Sequence, residues 1–291
     1  MDNELLADRI MQVYPELKIV KYEKNNFGQN NDVLIINDQL VFRFPKYDDG
    51  IRNLEREVSL LKIVEGKITA AIPSPIYTSL DIKQAGKVFA GYRLLEGKPM
   101  WKRDLKGVPH RGLKKLASQL VSFLINLHSI PIAALHPVIQ QDEKNPLSEI
   151  KILLARLQNK VYPYMSNSSK ETVSFAFESF FEKEKSRDIK TTLIHGDFGA
   201  SNILWKVEKI EISGIIDFGA SGLGDPAYDF AGLLSSYGEE FFEQCIRLYP
   251  GGEEIKERVM FYKSTFALQE ALHGIENNDE QAFKNGIKAY L

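Results

Sequence analysis

The 291-residue sequence has little of several features that would direct a functional assignment. It contains one cysteine, Cys245, which excludes an intrachain disulfide and a thiolate metal cluster. Its formal net charge of −2 leaves no excess of basic residues to neutralise nucleic-acid phosphates, so we expect no nucleic-acid partner. A Gly-x-x-x-x-Gly-Lys-Ser/Thr motif is absent, which excludes a P-loop fold.

Long apolar runs are also absent, since none approaches the roughly 18 residues that a membrane-spanning helix needs. Acidic residues near the N-terminus occupy the place where a signal peptide carries positive charge. We therefore expect a cytoplasmic protein with no membrane partner. The 44% hydrophobic and 26% charged residues are typical of a globular protein.

The hydrophobic pattern changes from strand-like to helical near residue 95. Predicted strands lie at 18–23, 33–37, 40–44 and 88–95, and predicted helices at 4–14, 51–64, 112–129, 147–162, 171–185, 226–236, 239–248 and 253–275. Short apolar stretches at 192–195, 203–205 and 210–218 interrupt the helical part. The polar segment 95–99 separates the two patterns, so we predict one lobe at 1–95 and another at 96–291.

Two carboxylates and an amide lie close together in the sequence of the predicted C-terminal lobe. The segment 195–202 reads His-Gly-Asp-Phe-Gly-Ala-Ser-Asn, and Asp217-Phe218-Gly219 follows an apolar strand. Transfer of a phosphoryl group to an alcohol needs a carboxylate to accept the hydroxyl proton and hard oxygen ligands for Mg²⁺. Asp197 fits the first need, whereas Asn202 and Asp217 fit the second. The order and spacing of these residues indicate a kinase-type site.

These residues resemble the aminoglycoside phosphotransferase family, the protein-kinase-like antibiotic kinases with their macrolide phosphotransferase relatives. His195-Gly196-Asp197 and Asn202 match the catalytic loop, and Asp217-Phe218-Gly219 matches the metal-binding loop. Asp225-Pro226-x-x-Asp229 matches the start of the following helix. The resemblance implies an α+β, bilobal protein-kinase-like fold. Its N-terminal lobe is an antiparallel β-sheet plus one helix, and its larger C-terminal lobe is mainly helical.

The acceptor is expected to be a small molecule rather than a protein. Only seven residues separate Asp217 from Asp225, which leaves no room for the long segment on which a protein substrate docks. Gly196 stands where protein kinases carry an arginine that pairs with a phosphorylated residue. The expected reaction is therefore Mg²⁺-dependent transfer from ATP or GTP to a small-molecule hydroxyl, with Asp197 as the catalytic base.

On the nucleotide side, the resemblance places a phosphate-binding cation on the third strand. Arg43 takes that position, and Lys46 is the alternative. Its partner is Glu57 or Glu55, because both flank the apolar stripe of helix 51–64, and the resemblance favours Glu57. The predicted nucleotide-binding residues are Arg43, Glu57, Gly28 in the loop between the first strands, and the main chain of Arg93 and Leu95 against the purine.

Acidic side chains are the expected ligands of a polycationic aminoglycoside, and the candidates are Glu239, Glu240 and Glu270. The segment Asp-Phe-Ala-Gly from Asp229, followed by Gly-Glu-Glu, is similar to macrolide phosphotransferases, which keeps a macrolide or another small alcohol open as acceptor. The alternative is that these glutamates belong to solvated helix faces, where charge runs of this kind are common. We expect a monomer.

Two further hypotheses come from other classes. Arg43 in place of lysine, and a phosphate loop with one glycine, would suit a nucleotide-binding pseudokinase or regulatory module. Metal-dependent phosphoester hydrolysis by His195, Asp197 and Asp217 would proceed without nucleotide. His128, at the end of a predicted helix, is expected to be a cap or a core group rather than a catalytic residue.

Overall fold

The computed structural model describes residues 3–25, 31–140, 145–185 and 189–291. The strands are β1 Tyr22–Asn25, β2 Asn31–Ile36, β3 Leu40–Pro45, β4 Pro75–Ser79, β5 Phe89–Arg93, β6 Lys98–Pro99, β7 Thr192–Ile194, β8 Ile203–Lys206, β9 Glu211–Ile215 and β10 Gly222–Gly224. The helices are α1 Asn3–Val13, α2 Asp48–Val64, α3 Lys102–Leu105, α4 His110–His128, α5 Pro137–Gln140, α6 Pro146–Lys160, α7 Asn167–Glu184, α8 Ala227–Tyr237, α9 Glu239–Ile246, α10 Gly252–Glu276 and α11 Glu280–Ile287.

The N-terminal part is an antiparallel five-stranded sheet in the order β1-β2-β3-β5-β4. Alternation along β3 divides its side chains between the two faces. Phe42 and Phe44 are fully buried and cluster with Leu6 and Ile10 of α1. Arg43 therefore points to the opposite face.

Helix α2 packs on that opposite face. Ile51, Leu54 and Val58 of α2 form a buried cluster with Ala90 of β5 and with Val88, which directly precedes that strand. Residues at steps of three and four share one face of a helix, which is why this stripe predicts α2 from the sequence. The packing brings the polar edge of α2 alongside the Arg43 side of the sheet.

The C-terminal part is mainly helical around one large apolar cluster that includes α4, α8, α9 and α10. Two small sheets are embedded in it. One has the order β6-β8-β9, and in the other β7 pairs antiparallel with β10. The turns that follow β7 and β9 carry the kinase-type motifs. The antiparallel N-terminal sheet and the mainly helical C-terminal part confirm the predicted α+β fold.

Several element boundaries differ from the sequence-based prediction. The first strand begins at Tyr22 rather than at residue 18, and residues 210–218 contain a shorter strand, β9, because the chain turns before Asp217. β10 lies in a glycine-rich segment with no strand pattern, and β4 begins at Pro75, at the edge of the sheet where a missing N–H is tolerated. Across the described ranges, no helix has both the length and the hydropathy needed to cross a bilayer.

Candidate active site

The loop between β7 and β8 carries Asp197 and Asn202. Asp197 is exposed, whereas Asn202 is buried. Asn202 Nδ2 donates to Asp197 Oδ2 at 2.7 Å and to the Asp197 carbonyl at 2.9 Å. This pattern assigns the amide nitrogen to Asp197 and leaves the amide oxygen available for another partner. One carboxylate oxygen of Asp197 is thus held in place while the other faces outward.

The second loop, after β9, carries Asp217 and is joined to the first by one backbone hydrogen bond and by the His195 side chain. Ile216 N–H donates to the Asn202 carbonyl at 2.9 Å, and His195 Nε2 lies 3.1 Å from the Ile216 carbonyl. Asp217 itself has left-handed backbone angles, φ 63° and ψ 71°. Such a conformation is uncommon for a residue with a side chain and often marks a functional turn.

His195 connects these loops and is fully buried. The Asp197 N–H donates to His195 Nδ1 at 3.3 Å, so Nδ1 accepts and Nε2 must be the protonated nitrogen that donates to Ile216. Its ring packs edge-on against Phe218 at a centroid distance of 4.8 Å. Because both ring nitrogens are occupied, His195 positions the loops. This disfavours the phosphoester-hydrolase hypothesis, in which His195 would bind a metal.

Asp229 accepts hydrogen bonds from the backbone at the start of the Asp197 loop. Its two carboxylate oxygens accept the His195 N–H at 2.8 Å and the Gly196 N–H at 2.9 Å. His128 Nε2 lies 3.0 Å from Asp229 Oδ2, and Tyr249 Oη lies 3.0 Å from His128 Nδ1. Asp229 is fully buried, and these hydrogen bonds orient its carboxylate. His128 is a buried core group, which agrees with the sequence-based interpretation.

Gly196 occupies a position where a side chain does not fit. Its φ is +78°, and a Cβ atom there would lie 2.3 Å from the Ala220 carbonyl oxygen. The close approach of the Asp197 loop to the Asp217 loop therefore requires glycine, in addition to the left-handed backbone. The sequence identified Gly196 by resemblance, and the structure supplies this steric reason.

Arg43 lies between two acidic side chains. Its Nη1 is 2.6 Å from Glu57 Oε1, and its Nη2 is 3.1 Å from Asp217 Oδ1. Glu57 is buried at 4% exposure, whereas Glu55 forms an ion pair with Lys83. Arg43 therefore contacts both Glu57 and Asp217, and the two glutamates of α2 have different partners.

Tyr92 on β5 completes this cluster and was missed in the sequence. Its hydroxyl is hydrogen-bonded to Arg43, and burial raises the pKa of Tyr92 to about 12. Burial also raises the pKa of Glu57, although Arg43 opposes that rise. Burial disfavours the charged guanidinium, but Tyr92, Glu57 and Asp217 hold the pKa of Arg43 above its ordinary value. Arg43 therefore carries a fixed positive charge beside Asp217.

The remaining predicted nucleotide residues lie at the edge of the sheet or outside the described residues. Arg93 is exposed at the end of β5, and Leu95 follows it. The Leu94 N–H is donated to the Gln39 carbonyl at 2.7 Å, whereas the Leu95 N–H has no partner within the described ranges. Gly28 belongs to the segment 26–30, which lies outside those ranges.

The predicted acceptor residues do not form one cluster. Glu239 and Glu240 begin α9 and are exposed, while Glu270 lies on α10, with Asn285 Nδ2 3.4 Å from its Oε1. One other side chain, Tyr228, lies close enough to Asp197 to feel its charge. Tyr228 donates to Gln269 Oε1 at 3.2 Å, and its pKa is raised first by burial and then by the negative charge of Asp197.

The donor atoms present fit Mg²⁺ bound together with a nucleotide. Within the described ranges, no group of three or more His, Cys, Asp or Glu side chains is placed to hold a metal by itself. Mg²⁺ in phosphoryl-transfer sites takes one or two carboxylates plus substrate phosphates and water. Asp217, with its side chain 48% exposed, and the available amide oxygen of Asn202 are ligands of that kind.

Comparisons with known proteins agree with this geometry. The sequence model of the phosphotransferase enzyme family matches residues 21–262. Viomycin phosphotransferase from Streptomyces vinaceus is 29% identical over 148 residues, which cover 50% of this chain and 50% of that protein. The aligned region thus spans about half the length of that relative.

Among solved structures, the GDP and kanamycin complex of an aminoglycoside 2″-phosphotransferase aligns at a TM-score of 0.88 with 25% identity, covering 97% of this chain and 96% of the other. Macrolide 2′-phosphotransferase type I aligns at a TM-score of 0.74 with 19% identity, covering 100% of this chain and 98% of the other. At that identity, the alignment shows only that the two proteins share a fold.

Proposed function

The chain belongs to the phosphotransferase enzyme family, and from that premise we propose that it transfers the γ-phosphoryl group of ATP or GTP to a hydroxyl of an aminoglycoside antibiotic, with Mg²⁺. A cytoplasmic monomer is part of this proposal. The observation that carries it is the hydrogen bond at 2.7 Å that fixes Asp197 Oδ2 to Asn202. It orients an exposed carboxylate beside the loop that carries Asp217.

Asp197 would act on the acceptor hydroxyl. Because Asn202 occupies Oδ2, the other carboxylate oxygen, Oδ1, can accept a hydrogen bond from the acceptor hydroxyl. That hydrogen bond would direct a lone pair of the hydroxyl oxygen toward the phosphorus, and Oδ1 would take the proton as the O–P bond forms. The β-phosphate oxygen leaves with the nucleoside diphosphate. The role of the protein is chiefly to position the reactants and to stabilise charge, since the phosphoryl group itself needs little covalent assistance.

Mg²⁺ would be held by Asp217 and by the amide oxygen of Asn202, together with nucleotide phosphates. When bound, it supplies positive charge that neutralises the phosphates and the developing charge on the leaving group. The backbone hydrogen bond from Ile216 to Asn202 supports this assignment, because it keeps the two ligand loops in register.

Arg43 would hold the α- and β-phosphates. Its guanidinium is fixed on one side by Glu57 and Tyr92, which leaves its Asp217-facing edge directed toward the proposed metal loop. A planar guanidinium can bind phosphate with two parallel hydrogen bonds, which an ammonium cannot. We further propose that the purine contacts the main chain at Arg93 and Leu95, and that the Gly28 loop covers the phosphates.

The acceptor assignment rests on both the relatives and the surface. The viomycin phosphotransferase supports an antibiotic acceptor in general. The choice of an aminoglycoside rests on the aminoglycoside phosphotransferase structures, which align at higher TM-scores than the macrolide enzyme. Glu239, Glu240 and Glu270 are exposed carboxylates on α9 and α10 that could pair with ammonium groups. Tyr228, whose pKa the charge of Asp197 raises, would form a neutral wall together with its hydrogen-bond partner Gln269.

The test is release of ADP or GDP from the full chain with Mg²⁺ and a panel of kanamycin, gentamicin, viomycin, a macrolide and choline. We expect release to depend on an aminoglycoside, and Asp197→Asn to lower kcat by about 10²–10⁴-fold with nucleotide affinity retained. Asp81→Asn, a change at an exposed carboxylate, is the matched control. Release with a macrolide alone would favour the macrolide alternative, and nucleotide binding without any transfer would favour the regulatory module.

A further inference from the structure

Helix α8 runs along the loop that carries Asp197. Asp229 accepts backbone hydrogen bonds at the start of this loop, and Ser236 Oγ accepts one from the Ala200 N–H further along it, at 3.0 Å. Residues 229 and 236 are about two turns apart and share one face of α8, so that face is turned toward the loop. Tyr228 comes one residue before Asp229, about 100° around the helix axis. Its side chain therefore lies beside the loop.

Tyr228 connects this side of the loop to α10. Its ring packs edge-on against two aromatic rings of α10, at centroid distances of 5.3 Å to Tyr262 and 5.4 Å to Phe266. The residue is half-buried. Burial raises the pKa of its hydroxyl, and the negative charge of Asp197 raises that pKa further. The phenol therefore stays protonated at neutral pH and lies within electrostatic reach of the proposed base.

The proton of that hydroxyl has a fixed direction, because a chain of hydrogen bonds on α10 orients its partner. Thr265 Oγ1 is 2.7 Å from the Tyr262 carbonyl oxygen, a separation that requires the threonine proton to lie between the two oxygens. Thr265 Oγ1 then accepts from Gln269, so Gln269 Nε2 is the donor, at 2.9 Å. The amide oxygen of Gln269 consequently faces Tyr228, at 3.2 Å, and an amide oxygen can only accept.

Tyr228 Oη therefore gives its single proton to Gln269 and can only accept from a further partner. Within the described ranges, no protein group donates a hydrogen bond to this oxygen. Asp197 Oδ1 is also an acceptor, since an ionised carboxylate has no proton to donate and Asn202 holds the other oxygen. A ligand that contacts both Asp197 and Tyr228 must therefore present two donor groups.

We propose that Tyr228 is a specificity-determining residue that accepts a hydrogen bond from a second donor of the antibiotic, an ammonium or hydroxyl group close to the hydroxyl that Asp197 activates. This inference rests on the proposed function. An acceptor molecule with an ether or carbonyl oxygen at that place would meet the lone pairs of Tyr228 and be disfavoured. The exposed glutamates of α9 and α10 would attract a polycation in general, whereas Tyr228 would select the group beside the reacting hydroxyl.

Calorimetric titration of the full chain with kanamycin, without nucleotide, tests the proposal. Tyr228→Phe keeps the ring and its contacts with α10 and removes only the accepting oxygen. We expect the kanamycin Kd to rise about tenfold, because hydrogen bonds with an ionised partner are strong. Tyr47→Phe, at an exposed tyrosine that precedes α2, is the matched control and should bind as the wild type does.

Analogues of kanamycin identify the donor group. In each analogue, one amino or hydroxyl group is replaced by hydrogen. We expect one of them to bind the wild type about tenfold more weakly than kanamycin and to lose nothing further in Tyr228→Phe. Equal effects of Tyr228→Phe on all analogues would overturn the proposal, because the tyrosine would then contact no particular donor.

Gln269→Leu tests the direction of the hydrogen bond. It removes the acceptor of the Tyr228 proton and leaves the tyrosine in place, so the hydroxyl becomes free to donate. The probe is kanamycin with a carbonyl oxygen in place of the donor group that the analogues identify. We expect the wild type to bind this compound at least tenfold more weakly than kanamycin, and Gln269→Leu to reduce that difference at least threefold. An unchanged difference would contradict the acceptor-only assignment.

Steady-state kinetics separate this role from a structural one and from the proposed function. In Tyr228→Phe, the antibiotic KM should rise while kcat and the nucleotide KM stay close to the wild-type values. A fall in kcat together with the free energy of unfolding would instead give Tyr228 a structural role. An unchanged kanamycin Kd in Tyr228→Phe would refute this inference alone. Failure of the wild type to bind any aminoglycoside would refute the proposed function, and the inference with it.

Discussion

Arg43 Nη2 lies 3.1 Å from Asp217 Oδ1, so the cation of strand β3 directly contacts the carboxylate of the loop after β9. These residues are 174 positions apart in the chain. The same guanidinium is 2.6 Å from Glu57 on α2. One side chain thus links the N-terminal sheet, its helix and the proposed metal loop.

This bridge predicts that lysine cannot replace Arg43 fully. A lysine ammonium is a point charge that can approach Glu57 or Asp217 but cannot span both. We expect Arg43→Lys to lower kcat/KM for the nucleotide about tenfold and Arg43→Met to lower it further. Steady-state kinetics with ATP and GTP measure the effect, and Arg103→Lys on an exposed helix is the matched control. Wild-type kinetics in Arg43→Lys would show that bridging is unimportant.

Asp229 should be essential for stability as well as for loop position. Asp229→Asn replaces an acceptor oxygen with a donor that faces a backbone N–H, which leaves buried polar groups unpaired. We expect a loss of about 3 kcal/mol in the free energy of unfolding, measured by urea denaturation.

Should Asp229→Asn not fold, His128→Phe gives a milder form of the same test, because it removes only one partner of Asp229. We expect that variant to lose about 1–2 kcal/mol. A free energy of unfolding equal to that of the wild type in His128→Phe would contradict the proposed support of the Asp197 loop.

Gly196 and Gly66 form a matched pair for separating steric clash from backbone strain. Their φ angles are +78° and +74°, but only at Gly196 would a Cβ atom meet a backbone oxygen, at 2.3 Å. Alanine at a position with left-handed backbone angles lowers the free energy of unfolding by about 1 kcal/mol. We expect Gly66→Ala to lower the free energy of unfolding by that amount in urea denaturation and to leave kcat unchanged. Gly196→Ala should lower the free energy of unfolding by more and should lower kcat at least tenfold. Equal losses in the two variants would refute the steric argument.

Glu276 supports a pH-dependent contribution to stability. It pairs with Arg156 and with Lys160 Nζ at 2.8 Å, and hydrogen bonds from these cations lower its pKa below the ordinary 4.5. A lowered pKa in the folded state stabilises the protein above pH 4.5, and this stabilisation is lost as pH falls through the lower value. Because the site is largely solvated, the contribution is at most about 1 kcal/mol.

Urea denaturation of the wild type and Glu276→Gln between pH 7 and pH 3 measures this effect. The difference between them should be largest at pH 7, disappear toward pH 3 and shrink in about 1 M salt because of screening. A difference that is independent of pH would mean that the carboxylate charge is not responsible.

Much of the proposed site could be predicted from local sequence, because its motif lies within one short segment. Asp197, Asn202 and Asp217 occupy turns next to short strands, where nearby glycines and apolar runs already indicate exposed polar side chains. The choice between Glu55 and Glu57 could not be made from periodicity. The two residues differ by about 200° around the helix axis, and which direction faces Arg43 depends on how α2 sits on the sheet.

By itself, the sequence determined the individual strands and helices and the order of the catalytic and metal loops, because strand alternation, helical periodicity and motif spacing are local properties of the chain. The resemblance of those motifs to a known family then implied the α+β kinase-like fold. Only the tertiary structure decided that Arg43 contacts Asp217 and that His128 contacts Asp229 across 101 positions. Such contacts join elements that are distant in the chain. They depend on the packing angles and faces of the helices, which no local pattern specifies.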